Sequence, residues 1–219
     1  MNIMNFKTFI IIYMGVSIAE IIFGTIGNPM GVYLTKPLIM LLIMFFYVNQ
    51  TNGKRESTDK IMLLAFFFSM LGDIFLMFEG EKFFMMGLGS FMITHLLYIF
   101  IFRKEGKQPN WLSRIAIAIF SIIMLLFIKD QLPMGLFIPV IVYMTAISIM
   151  AMSAAERATN ARSYQTLLIG ALLFMVSDAL IALDKFAYTI PFRTLFVMGT
   201  YVLAQYLIAN GYLWRKQVE

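Results

Sequence analysis

The chain has 219 residues, of which 61% are hydrophobic and 13% charged, with no cysteine and a formal net charge of +5. Soluble domains carry about 25% charged residues, so this composition and a mean hydropathy of +0.83 assign the chain to a membrane and leave no room for a large soluble domain. The lack of cysteine excludes disulfides, thiolate metal sites and cysteine nucleophiles.

A helix needs ~20 apolar residues to cross hydrocarbon. Runs approaching that length at 9–27, 31–48, 61–78, 83–102, 112–128, 134–155, 164–183 and 194–213 predict eight transmembrane helices. The expected fold is an all-α polytopic helix bundle. With no Pro/Ser-rich linker or low-complexity tract, the expectation is a single integral membrane domain over 1–219. The first run ends in a cleavage-like Ser17-Ile18-Ala19, yet stays apolar through Ile21, Ile22 and Phe23, which favours a retained span over a signal peptide.

Lys and Arg set the orientation. Lys7, Lys54, Arg55, Lys60, Arg103, Lys104, Lys107, Arg114, Arg157, Arg162, Arg215 and Lys216 make twelve on one side, against five on the other. Cytoplasmic loops carry the excess, so both termini are expected in the cytoplasm of a plasma (inner) membrane, with the third and seventh runs directed outward. Positive-inside topology accounts for the net charge, and nucleic acid is not expected as a partner.

Two acids interrupt the apolar runs. Asp73 lies six residues before Glu79, and Asp178 six before Asp184, which puts both about 9 Å inside the outer boundary at ~1.5 Å per residue. Aligning them also aligns Leu71 with Val176, Gly72 with Ser177, Ile74 with Ala179 and Glu79 with Asp184. That match raises the expectation of two parallel four-helix repeats. Ser69, Gly72 and Asp73 share one helical face, and Gly170, Phe174, Ser177 and Asp178 form a similar one. Small residues let helices approach closely in lipid, and the serine hydroxyls can bond across the interface. An Asp at a span's centre costs ~2.5–3.5 kcal/mol on insertion scales. Incurring that cost twice at matched depth points to function rather than packing.

A set of residues runs in order from 36 to 205: Lys36-Pro37, then Ser69-x-x-Gly72-Asp73, then Gly87, Phe91, His95 and Tyr98. It continues with Tyr143, Gly170-Ala171-x-x-Phe174-x-x-Ser177-Asp178 and Ala204-Gln205. In the order and spacing of these pieces the chain resembles the lysoplasmalogenase, or YhhN-like, family of eight-span membrane proteins. The resemblance implies hydrolysis of the vinyl ether bond of lysoplasmalogens to a fatty aldehyde and glycerophosphoethanolamine or glycerophosphocholine.

The chemistry suits a pair of carboxyls. A vinyl ether opens by protonation at its β carbon, which leaves an oxocarbenium ion for water to attack; the hemiacetal then collapses to aldehyde and alcohol. Two carboxyls close together in low dielectric cannot easily both ionise, so one can donate the proton while the other activates water. Asp73 and Asp178 are the expected catalytic pair, their two roles open.

Other polar residues are expected around them. Gly87, Phe91, His95 and Tyr98 recur on one face of the fourth run, and His95 is the chain's one histidine. A zinc site wants three or four protein ligands, so neither metal nor cofactor is expected. Ser69, His95, Tyr98, Tyr143, Ser177, Tyr201 and Gln205 are candidates to line a lysophospholipid cavity among membrane lipids. Lys36 is a candidate for its phosphate, the alternative being a side chain that snorkels to the headgroups. Glu20 is expected either to perturb the acid pair or to pair with Lys36. Two other classes would use the same acids, an ion-coupled transporter and a non-catalytic membrane scaffold; flux without product, or tolerance of Asp→Asn at both sites, would mark them.

Overall fold

Asparagine opens four of the helices. Asn5, Asn28, Asn110 and Asn160 each accept a hydrogen bond from the backbone N–H three residues on, at 2.8–3.1 Å. Each thereby satisfies a donor that the first helical turn leaves orphaned. A computed structural model describes residues 5–51 and 55–216; Lys54 lies outside them.

Eight α-helices follow in chain order: α1 Phe6–Thr25, α2 Pro29–Gln50, α3 Ser57–Phe75, α4 Glu81–Arg103, α5 Trp111–Ile128, α6 Met134–Ala155, α7 Ala161–Phe186 and α8 Arg193–Leu213. Short 3₁₀ turns close α5 and α8, and the described residues contain no strand. The fold is all-helical. Six helices are long and apolar enough to cross a membrane, namely α1, α2, α4, α5 with its 3₁₀ turn, α6 and α7, and they mark an integral membrane protein.

The other two have composition against them. α3 holds Asp59, Lys60 and Asp73 within 19 residues, and α8 carries Arg193, Gln205 and Asn210. Prolines at 37 and 139 stand inside α2 and α6, where each removes one rung of the backbone ladder; membrane helices tolerate such gaps.

The chain folds into two compact units, Met1–Ile101 and Phe102–Glu219. The first holds α1–α4 up to Ile101. Its α1 and α2 meet through stacked Phe9 and Phe46, ring centroids 4.1 Å apart. Its α3 and α4 meet where the Thr94 hydroxyl donates to the Ala65 carbonyl at 3.2 Å.

The second unit holds α5–α8, and in it α7 and α8 pack backbone to backbone. A Cβ on Gly211 would stand 2.6 Å from the Leu167 nitrogen, and one on Gly170 would stand 2.9 Å from the Ala204 oxygen. Only glycine permits that approach, the small-residue packing expected of helices in lipid. The hydroxyls of Ser163 and Ser177 cross the same seam to the carbonyls of Gly211, at 2.6 Å, and Val197, at 3.0 Å.

Candidate active site

In the first unit, Asp73 stands in the last turn of α3 and is 3% exposed. One turn before it, Ser69 is fully buried. Gly72 is small because the Phe91 ring of α4 lies against it; a Cβ there would meet the ring at 2.6 Å. Gly87 admits Leu76 in the same way. The glycine-aspartate step thus lies where the Phe91 ring of α4 packs onto α3, and the aspartate beside it is buried.

His95, one turn along α4 from Phe91, and Tyr98 are both fully buried. The Tyr98 ring packs edge-on to Phe66 at 6.4 Å, and Phe66 edge-on to Tyr47 at 5.6 Å. Buried aromatic edges of this kind fill the interior and fix its spacing.

Glu20 of α1, also buried, accepts a hydrogen bond from the Thr35 hydroxyl of α2 at 2.5 Å. Among the described residues no salt bridge joins Glu20 to the neighbouring Lys36, which is half-buried. The direct partner of Glu20 is thus the hydroxyl of the residue before the lysine. The Thr35 hydroxyl also lies 2.8 Å from the Gly31 carbonyl, so its one proton is shared between these two acceptors, and a lysine on the next residue points about 100° around the helix.

In the second unit, Asp178 is half-buried on α7. Its Oδ2 accepts a hydrogen bond from the phenol of Tyr143 on α6. The phenol is the proton donor of that contact and fixes one oxygen of the carboxyl. Ser177 gives its hydroxyl to the Val197 carbonyl, which ties it to helix packing. Tyr201 stacks edge-on against Phe174 at 5.6 Å. Gln205, one turn further along α8, is fully buried.

The structure thus brings Ser69, Gly72 and Phe91 to Asp73 in one unit, and Tyr143 to Asp178 in the other. Asp73 lies two residues before the end of α3 and Asp178 eight before the end of α7. The common count to Glu79 and Asp184 therefore hides a difference: Leu76, Met77 and Phe78 extend the apolar run but not the helix. There the backbone tightens into i→i+3 bonds, Met77 N–H to Ile74 at 3.2 Å and Phe78 N–H to Phe75 at 3.2 Å. The Phe78 ring packs near Tyr33 and Phe83, at 5.7 and 5.1 Å.

Two buried acids escaped the sequence reading, Asp59 and Glu156. Asp59 is 0% exposed and accepts from the Tyr47 phenol at 2.8 Å and the Glu56 N–H at 2.9 Å. Its signal was available, since Glu56 and Asp59 stand three apart just ahead of an apolar run, the spacing of a capping box. Its place at the start of α3 makes it a structural cap.

The YhhN family model matches residues 31–212. The chain belongs to the YhhN family. Asp73, Asp178 and every other candidate except Glu20 fall inside the matched region. Lysoplasmalogenase TMEM86A of Bos taurus is 36% identical over 148 residues, which cover 65% of this chain and 60% of the relative. Lysoplasmalogenase TMEM86B of Rattus norvegicus is 30% identical over 170 residues, covering 78% and 67%. The human TMEM86A lysoplasmalogenase is 34% identical over 148 residues, covering 65% and 60%. The match therefore spans about three fifths of the length of the TMEM86A relatives. No solved structure matches the chain.

Proposed function

We propose that this YhhN-family chain is a membrane-embedded hydrolase that cleaves the vinyl ether bond of lysoplasmalogens, releasing a fatty aldehyde and glycerophosphoethanolamine or glycerophosphocholine. What supports the reading most is its identity of 30–36% to lysoplasmalogenases, together with a family match over residues 31–212 that takes in both aspartates. The reaction asks for an acid to protonate the β carbon and a base to activate water. Asp73 and Asp178 serve these roles, each set in its own unit's third helix. Tyr143 orients Asp178 through their hydrogen bond. Ser69 and Ser177 hold the flanking helix seams.

Lys36 anchors the substrate phosphate, and Glu20, tied to Thr35, sets the surroundings of that lysine. His95, Tyr98, Tyr201 and Gln205 furnish polar wall for the lipid. In this reading all eight helices span the membrane, α3 and α8 included, in a plasma (inner) membrane with both termini cytoplasmic. A carboxyl in α3 is tolerated because it is turned into protein rather than lipid.

Substrate discrimination tests the activity. Purified protein incubated with lysoplasmenylethanolamine and with acyl lysophosphatidylethanolamine, followed by mass spectrometry, should yield aldehyde and glycerophosphoethanolamine from the first and leave the second intact. Cleavage of the acyl ester, or no product from the vinyl ether, would refute it.

A further inference from the structure

One end of the second unit gathers charge that the proposed chemistry does not use. Residues 103–114, 156–163 and 214–216 hold four, two and two Lys or Arg, eight in all, against two carboxylates, Glu105 and Glu156. Both carboxylates are already engaged. Glu105 takes the Arg157 Nε at 2.5 Å and lies 3.6 Å from Arg215. Glu156 takes Arg114 and, at 3.9 Å, Lys107. The Arg114 hydrogen bond, followed by its charge and that of Lys107, holds the Glu156 carboxyl below the ordinary range, so it stays ionised at neutral pH. Arg157 is itself buried, donating to the Ser163 hydroxyl at 2.9 Å and its carbonyl at 3.2 Å. The acids organise this end from within, and among its described residues cations outnumber carboxylates eight to two.

The chain's two tryptophans both lie here. The Arg114 guanidinium sits 4.6 Å over Trp111, and that of Arg162 sits 3.8 Å over Trp214. Trp111 is 67% exposed, and the next turns of α5 present Leu112, Ile115, Ile119 and Ile122 outward on one face. Tryptophan prefers the headgroup level of a bilayer. Below that level, the exposed flank of α5 is a surface that only acyl chains cover well; above it, the excess of cations over carboxylates faces a leaflet's phosphates.

We propose that this face binds the headgroup of an anionic phospholipid, with the acyl chains lying along the exposed flank of α5. A zwitterionic headgroup would bring its own cation to a site already in positive excess, whereas a net negative one complements it. A soluble polyanion would match the charge but leave Trp111 and the α5 flank unused.

Because both tryptophans lie at this end, fluorescence excited selectively from tryptophan reports on this face alone. The intact protein is placed in phosphatidylcholine nanodiscs containing one fixed mole fraction of a lipid brominated on its acyl chains, either phosphatidylglycerol or phosphatidylcholine. The brominated phosphatidylglycerol should quench several-fold more strongly. Each surface Lys or Arg contributes roughly a fivefold preference for anionic lipid. A triple variant, Arg103→Gln, Lys107→Gln and Arg162→Gln, spares the buried Arg157 cluster and should cut the anionic preference several-fold. Equal quenching by both lipids in the parental protein overturns the proposal, as does a triple variant whose anionic preference equals the parental one. Unchanged quenching by brominated phosphatidylcholine shows that the variant is still folded and inserted. The readout is lipid proximity, so it stands apart from turnover.

Discussion

Tyr143 is the residue whose role changes most between sequence and structure. As one of 10 tyrosines it is expected to line a cavity; in the fold its phenol donates to Asp178. If it positions that carboxyl, Tyr143→Phe should cost about tenfold in kcat with little change in KM, in line with ~1.5 kcal/mol for a hydrogen bond to a charged group. A purely space-filling tyrosine would leave both constants unchanged, and steady-state assays on the purified variant distinguish the two. The two aspartates were legible because an acid inside an apolar run is conspicuous. The Tyr143 contact was not, since it joins residues 35 apart on different helices, and no periodicity within one helix encodes such a meeting. Asp59 shows the reverse failure. A capping pattern was present in the sequence, but the carboxyl's complete burial depends on Tyr47, a residue on another helix.

At the scale of elements, glycine decides how closely α7 and α8 pack. Gly211→Ala would drive a methyl group into the Leu167 backbone, and rigid backbone cannot yield as a side chain can. The expected loss is ~1–3 kcal/mol, typical of overpacking, read as lower thermal stability in detergent. Gly199→Ala on the same helix has nothing within 4 Å of the new methyl and should be near neutral. Equal stability of the two variants would contradict the close seam. Helix positions were readable from the apolar runs; the α6 run at 134–155 coincides with the helix itself. The miss was the C-terminal end of α3. Hydropathy measures what the chain can bury, and Leu76–Phe78 are apolar residues that pack through a turn instead of continuing the helix.

At the scale of the whole molecule, the family match and the charge bias make separate demands. Orientation rests on the twelve-to-five Lys/Arg distribution, and single cysteines in this cysteine-free chain test it. Glu79→Cys should react with an impermeant maleimide from outside, and Gln108→Cys only after the cells are opened. The reversed pattern would invert the topology. Both positions are exposed, and neither carries the positive φ that makes Gly80 and Gly106 poor sites for a new side chain. Four helices per unit is the number a four-plus-four repeat asks for, and the third helix of each unit bears a candidate acid. The sequence suggested that division through two aligned aspartates, although apolar helices carry too few distinctive residues to align strongly.

The central claim is that Asp73 and Asp178 perform the acid and base steps of vinyl ether hydrolysis. Its most direct test is the turnover of Asp73→Asn, Asp178→Asn and the double variant on lysoplasmenylethanolamine, with thermal stability and membrane insertion measured in parallel. Asparagine keeps the size and hydrogen bonding of the carboxyl but cannot exchange the proton. Each single variant should therefore fold and insert normally while losing ~10²–10⁴-fold in kcat, the range of general acid–base catalysis. The double variant should be little worse than the worse single one, because the two act on one reaction. Near-parental turnover by both well-folded single variants would make the carboxyls structural and contradict the account.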